Sequence, residues 1–114
     1  MAIFFCAITV FAQKKNYAVY SIAYYNLENL FDIEDDPNNP GDDEFLPQSA
    51  YNWTQDKYEK KLDNMAQVLS RIGRDNTPLG PAVIGVSEIE NRRVLEDLVQ
   101  RSAIKNMNLK IVHD

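Results

Sequence analysis

Two patterns of apolar and polar positions alternate along this chain. Tyr17 to Tyr25 (YAVYSIAYY) sets Val19, Ser21, Ala23 and Tyr25 on one side and Ala18, Tyr20, Ile22 and Tyr24 on the other. Both sides are mostly apolar or aromatic, which predicts a strand covered on both faces. Asn26 interrupts that run, and Leu27 to Phe31 (LENLF) reads as a turn or short helix. Further on, Tyr58, Leu62, Met65, Leu69 and Ile72 form one apolar stripe, while Lys57, Lys60, Lys61, Asp63, Asn64, Gln67 and Arg71 fill the remaining face. This spacing predicts an amphipathic helix from about Gln55 to Ile72, with Thr54 capping its start and Gly73 ending it. Ala82 to Val86 (AVIGV) predicts an interior strand with Ser87-Glu88 directly after it. A second helix is expected over Arg92 to Arg101, burying Val94, Leu95, Leu98 and Val99, and Leu109 to Val112 reads as the start of a third strand.

The predicted order is strand, helix, strand, helix, strand, which argues for an α/β layer architecture. Its first two strands can lie parallel, joined by a helical crossover. Asn26 and Glu88 then sit just past the carboxyl ends of their strands, on the edge of the sheet where ligand sites of open α/β folds collect. The stretch from Asp32 to Gln48, rich in Asp, Asn, Pro and Gly, is a surface loop, as is Arg74 to Pro81. No internal repeat or low-complexity linker is present.

Composition adds bounds. A length of 114 residues, 45% hydrophobic and 25% charged, is that of at most one globular domain. The net charge of −5 lacks the basic footprint of non-specific nucleic-acid binding. It does not exclude a nuclease, since a metal can bridge acidic ligands to a phosphate. Met1 to Ala12 (MAIFFCAITVFA) carries no charge and is followed by Gln13-Lys14-Lys15. That run is too short for a bilayer span, which needs about 20 apolar residues. It fits the apolar part of a secretory signal peptide, with Val10 and Ala12 before the cleavage point. The domain division is therefore 1–12 as a signal remnant and 13–114 as the folded part, with a secreted or periplasmic location and no stable membrane insertion. Cys6, the single cysteine, falls inside the signal, so no intramolecular disulfide can form.

Glu88 is the strongest candidate for chemistry. It follows an apolar strand, where a carboxylate is costly unless it is paired or bound to a cation. Mg²⁺ suits such a place, because it takes one or two protein carboxylates and shares its other positions with water and phosphate oxygens. A solvated acid at a strand end fits the same position. Asn26 ends a similar strand and offers one acceptor and two donor hydrogens, although Asn also commonly serves as a turn residue. Arg92 and Arg93 could clamp a phosphate, with a solvated pair the blander alternative. The Asp32 to Glu44 loop is acidic enough for Ca²⁺, but its spacing does not fit a calcium-loop motif. Asn52-Trp53-Thr54 matches a glycosylation sequon and reads better as a helix cap.

Three segments together resemble the endonuclease/exonuclease/phosphatase superfamily, most closely its secreted bacterial branch. They are YNLENLFD (Tyr25 to Asp32), WTQDKYEKKLDNMAQVL (Trp53 to Leu69) and VIGVSEIEN (Val83 to Asn91). The resemblance implies the N-terminal portion of a four-layer α/β/β/α sandwich. It also implies Mg²⁺- or Mn²⁺-dependent hydrolysis of a phosphate ester, the substrate being DNA, RNA, a phospholipid head group or a sugar phosphate. Asn26 and Glu88 match the family's strand-end Asn and Glu of the metal centre, so both are taken as catalytic and metal-site residues. The later family motifs, a strand-end His, an Asp-x-Asn pair and a terminal Asp-His pair, do not occur. His113-Asp114 does not match them. The chain is thus expected to lack the C-terminal half of its domain and to be inactive alone.

Two alternatives come from other classes. One is a non-catalytic binding module on the same scaffold. The other is a secreted calcium-binding protein that uses the acidic loop at 32–44.

Overall fold

Two parallel strands backed by two helices organise residues 13–114, the part that the computed structural model describes. The leader read at 1–12, with Cys6, lies outside the described residues. Strand β1 spans Ile22–Leu30 and β2 spans Val83–Ile89. They pair in parallel from Ile22 opposite Val83 to Asn26 opposite Ser87, lose register, and pair again at Leu30 opposite Ile89. Between them run a loop with a short 3-10 turn at Asp43–Phe45 and helix α1, Gln55–Leu69. Helix α2, Arg92–Val99, follows β2, and a second 3-10 turn occupies Lys105–Met107.

The helices form where the apolar spacing placed them, and each has a side-chain cap. The Thr54 hydroxyl accepts from the Lys57 N–H at 3.5 Å, a long contact, and the Asn91 side chain accepts from the Val94 N–H at 3.2 Å. Tyr58, Leu62, Ala66 and Leu69 of α1 meet Val94, Leu95 and Leu98 of α2, with Leu27, Leu30 and Ile104, in one buried cluster. Both helices end early, α1 at Leu69 instead of Ile72 and α2 at Val99 instead of Arg101. Past α1 the chain turns through Gly73 at φ +71, a conformation that glycine enters freely.

Several expectations about strands need correction. Strand β1 begins at Ile22, not Tyr17, and Tyr17 and Tyr20 are exposed. The backbone N–H of Ala82 donates to Ser21 O, and the residue before it, Pro81, has no N–H with which to extend the ladder. The sheet is also covered on one face only. Tyr25, Leu27, Ile84 and Val86 turn toward the helices, whereas Ile22, Tyr24 and Val83 stand open. Finally, neither strand stops where expected: Leu27 to Leu30 belong to β1 and form no separate turn or helix, and β2 runs past Val86 through Ser87 and Glu88 to Ile89, which pairs with Leu30.

Leu109 to Val112 makes no strand, and the sheet has two strands among the described residues. Ile111 and Val112 instead line an apolar groove with Val83, Ile84 and Val86, so the segment lies near β2 without joining its ladder.

Candidate metal centre

Regular pairing ends at Asn26 and Ser87, and the candidate site is built at that break. Asn26 follows Ile22 and Tyr24 on the open side of β1. By alternation Glu88 belongs with Ile84 and Val86, turned toward the helices. Its backbone is left-handed, φ +57, which breaks the alternation and leaves the side chain exposed. The Asn26 Nδ2 donates to Glu88 Oε1 at 2.8 Å. Asn26 Oδ1 accepts the Glu28 N–H at 2.7 Å. Because a backbone N–H must meet an oxygen, that bond decides which way the amide points. The two residues singled out from sequence therefore meet directly, with Asn26 orienting the carboxylate.

The chain after Asn26 is held in an unusual path. Glu28 and Asn29 are both left-handed, at φ +52 and +57. Lys61, from α1, donates to the carbonyls of both residues, at 3.0 Å for Asn29. Its ammonium lies 5.7 Å from the Trp53 ring centre, and the Trp53 indole N–H donates to Phe31 O at 3.0 Å. Burial lowers the Lys61 pKa, while the charges of Glu28 and Glu88 push it back up. Lys61 was read only as part of the polar helix face. Its spacing from Tyr58 and Met65, three and four residues, puts it on the border of the buried stripe, and that was the signal available.

A second acidic group lies behind the rim. Glu90 Oε2 accepts the Asp32 N–H at 2.9 Å. Its carboxyl is pushed up to about 7, chiefly by burial, with the Asp32 backbone bond opposing and the charges of Asp32 and Asp42 adding. Asp42 is buried and takes the Asp36 N–H on Oδ2 at 2.8 Å, while its Oδ1 has no partner. Carboxylate oxygens of Asp35, Asp42 and Asp43 come within 4.8 Å of one another. The acidity of this loop is legible in the sequence, whereas nothing in the local pattern singles out Glu90.

Arg92 and Arg93 both stand in exposed ion pairs. Each is engaged by a carboxylate, Glu96 at 2.8 Å and Glu34 at 2.5 Å respectively. His113 and Asp114 are exposed and lie outside any helix or strand.

The model of the Endonuclease/Exonuclease/phosphatase family matches residues 21–114, from the edge of β1 through both helices. The chain belongs to this family. Comparison with curated proteins and with solved structures gives no match. The mixed strands and helices are consistent with a part of the family's α/β fold. The family is one of phosphate-ester hydrolases that usually work with divalent metals, and acidic side chains able to take such an ion are present.

Proposed function

We propose that Asn26 and Glu88 form the metal-binding and catalytic rim of a phosphoesterase that works with Mg²⁺ or Mn²⁺. The observation that carries this is the 2.8 Å bond from Asn26 Nδ2 to Glu88 Oε1, at the break in a parallel sheet. The donor set suits a hard cation. Glu88 is exposed, Asn26 engages one of its oxygens, and the other makes no hydrogen bond among the described residues. A single carboxylate, with water and phosphate oxygens completing the shell, is what Mg²⁺ accepts.

In this arrangement Glu88 supplies the charged ligand atom. Asn26 has its oxygen on the Glu28 N–H, and so acts by fixing the rotamer of Glu88 more than by binding the ion itself. Lys61 holds the Glu28-Asn29 backbone against which Asn26 is braced. When bound, the cation would polarise a phosphoryl oxygen toward attack by water. The apolar leader at 1–12 supports placing the protein in the secreted or periplasmic compartment.

Calorimetry with Mg²⁺ and Mn²⁺ tests this reading. Glu88→Gln should abolish binding, and Asn26→Ala should weaken it by roughly 10- to 100-fold, the usual loss when a partner of a metal ligand is removed. Binding left intact in Glu88→Gln would refute the assignment.

A second reading has one observation in its favour: the unpartnered, buried Oδ1 of Asp42 beside Asp35 and Asp43. It places Ca²⁺ in the acidic loop. Ca²⁺ binding that survives Glu88→Gln but is lost in Asp42→Asn with Asp43→Asn would favour it.

A further inference from the structure

On the open face of the sheet, the Tyr24 hydroxyl and Ser87 Oγ lie 2.6 Å apart and join β1 to β2. Tyr24 pairs in register with Gly85, and Ser87 pairs with Asn26. The bond is therefore diagonal, with the Tyr24 side chain leaning toward the carboxyl ends of the strands. Gly85 leaves that path clear. A Cβ there would meet Tyr24 Cδ2 at 3.6 Å, so the ring lies against bare backbone. Burial gives the ring little reason to lie this way, because Tyr24 is 69% exposed. The hydroxyl contact sets its direction.

Ser87 is the last residue of β2 in regular register, and Glu88 follows it. Pairing resumes at Leu30 opposite Ile89, where the Glu90 N–H also donates to Leu30 O at 3.1 Å. Between these anchors β1 makes the excursion Leu27-Glu28-Asn29, while β2 crosses with Glu88 alone. A lone residue between two fixed peptides has no neighbour with which to share a torsion. Its φ follows from where the two are held. Glu88 is at φ +57, a conformation kept only where surrounding contacts over-determine it. The ladder at Leu30 fixes the far side. On the near side the anchor is Ser87, whose side chain is tied to Tyr24. Asn26 acts on the Glu88 carboxylate, not on its backbone.

We infer that Tyr24 and Ser87 are positioning residues for Glu88. Their bond pins the last regular pair of the sheet, keeps Glu88 left-handed, and so aims its carboxylate at Asn26 and the cation. The inference rests on the reading of Glu88 as the metal ligand. It adds a support from the open face to the one that Lys61 gives from the helix side. A cross-strand pair that served strand pairing alone would leave Glu88 untouched when cut.

The experiment compares Tyr24→Phe, which keeps the ring and removes its hydroxyl, with Ser87→Ala and with Ser87→Thr, which keeps a hydroxyl. NMR reads Glu88 itself, because a left-handed residue holds its own amide and α hydrogens closer together than an extended one and gives a stronger NOE between them. That NOE should be strong in the unaltered chain and in Ser87→Thr, and weak in Tyr24→Phe and Ser87→Ala. Mg²⁺ affinity by calorimetry should fall about 10-fold in the last two, as when a support of a metal ligand is lost. The urea midpoint should move little, since the bond is exposed. A Glu88 NOE that is weak in the unaltered chain, or that survives loss of either hydroxyl, would overturn the positioning role. So would Glu88-dependent Mg²⁺ binding that neither substitution weakens. Glu88→Gln separates the two readings. Mg²⁺ binding that it leaves intact, beside an NOE that follows the hydroxyls, removes the metal rim and keeps their hold on the turn. Binding that it abolishes, beside an NOE indifferent to the hydroxyls, does the reverse.

Discussion

Glu28 and Glu88 carry the cost of the rim in their own backbones. Both are left-handed, a region that costs a residue with a Cβ about 1–2 kcal/mol. Such strain persists only where neighbouring contacts over-determine it, and here Asn26 Oδ1 and the Lys61 ammonium hold the Glu28 turn. Glu28→Gly keeps those backbone bonds and removes the steric conflict. It should raise stability by about 0.5–1 kcal/mol after glycine's entropic cost, read from urea unfolding. Glu90 yields a prediction in pH. Its folded pKa is raised to about 7 from the ordinary 4.5. Between about pH 4.5 and 7 the folded chain therefore keeps a proton that the unfolded chain has lost. Stability from this group falls as pH rises through that window and levels off above it. Glu90→Gln stays neutral throughout and can donate to the unpartnered Asp42 Oδ1. Melting curves across the window should show a flatter slope, by on the order of a few degrees, since partial solvent exposure screens the effect.

At the scale of elements, α1 does two jobs. One edge buries Tyr58, Leu62, Ala66 and Leu69, and Lys61, beside that edge, reaches across to the end of β1. A bidentate pair from Arg101 to Asp63, at 2.6 and 2.8 Å, ties the same helix to the segment after α2. Lys61→Met preserves the stem but removes both carbonyl bonds. It should cost about 1–2 kcal/mol and speed amide hydrogen exchange at Glu28 to Leu30 more than within α2. Uniform exchange across the chain would show that Lys61 contributes only to general packing. Mg²⁺ affinity should fall in the same variant, because the support behind Asn26 is lost.

For the whole molecule, stability rests on a single layer of contacts between the helices and one face of a two-stranded sheet. Leu62 belongs to that buried layer, 2% exposed. Leu62→Ala should cost about 2–5 kcal/mol, a large share of the 5–15 kcal/mol typical of a domain. Unfolding by circular dichroism and by Trp53 emission should shift together, because Trp53, in the loop before α1, packs against the core cluster.

Much of this was legible in the chain itself. Apolar steps of three and four, caps at Thr54 and Gly73, and an apolar AVIGV run determine helices and strands through local sterics and burial, and they are present in any linear reading. That Asn26 and Glu88 come close together was also legible, because residues toward the carboxyl ends of two parallel neighbouring strands share an edge. Tertiary structure decided the rest. The left-handed turn at Glu88 moves its carboxylate away from the helix-facing side expected of its position in the strand, and no periodicity records a reversed φ. Lys61 finds its acceptors on a strand more than thirty residues away, at Glu28 and Asn29. Arg93 finds Glu34 from the distant acidic loop, whereas the Arg92–Glu96 pair, four residues apart on α2, is local. Side-chain pattern encodes which face of an element is buried, whereas the partner a polar group meets depends on distances that only the closed chain creates.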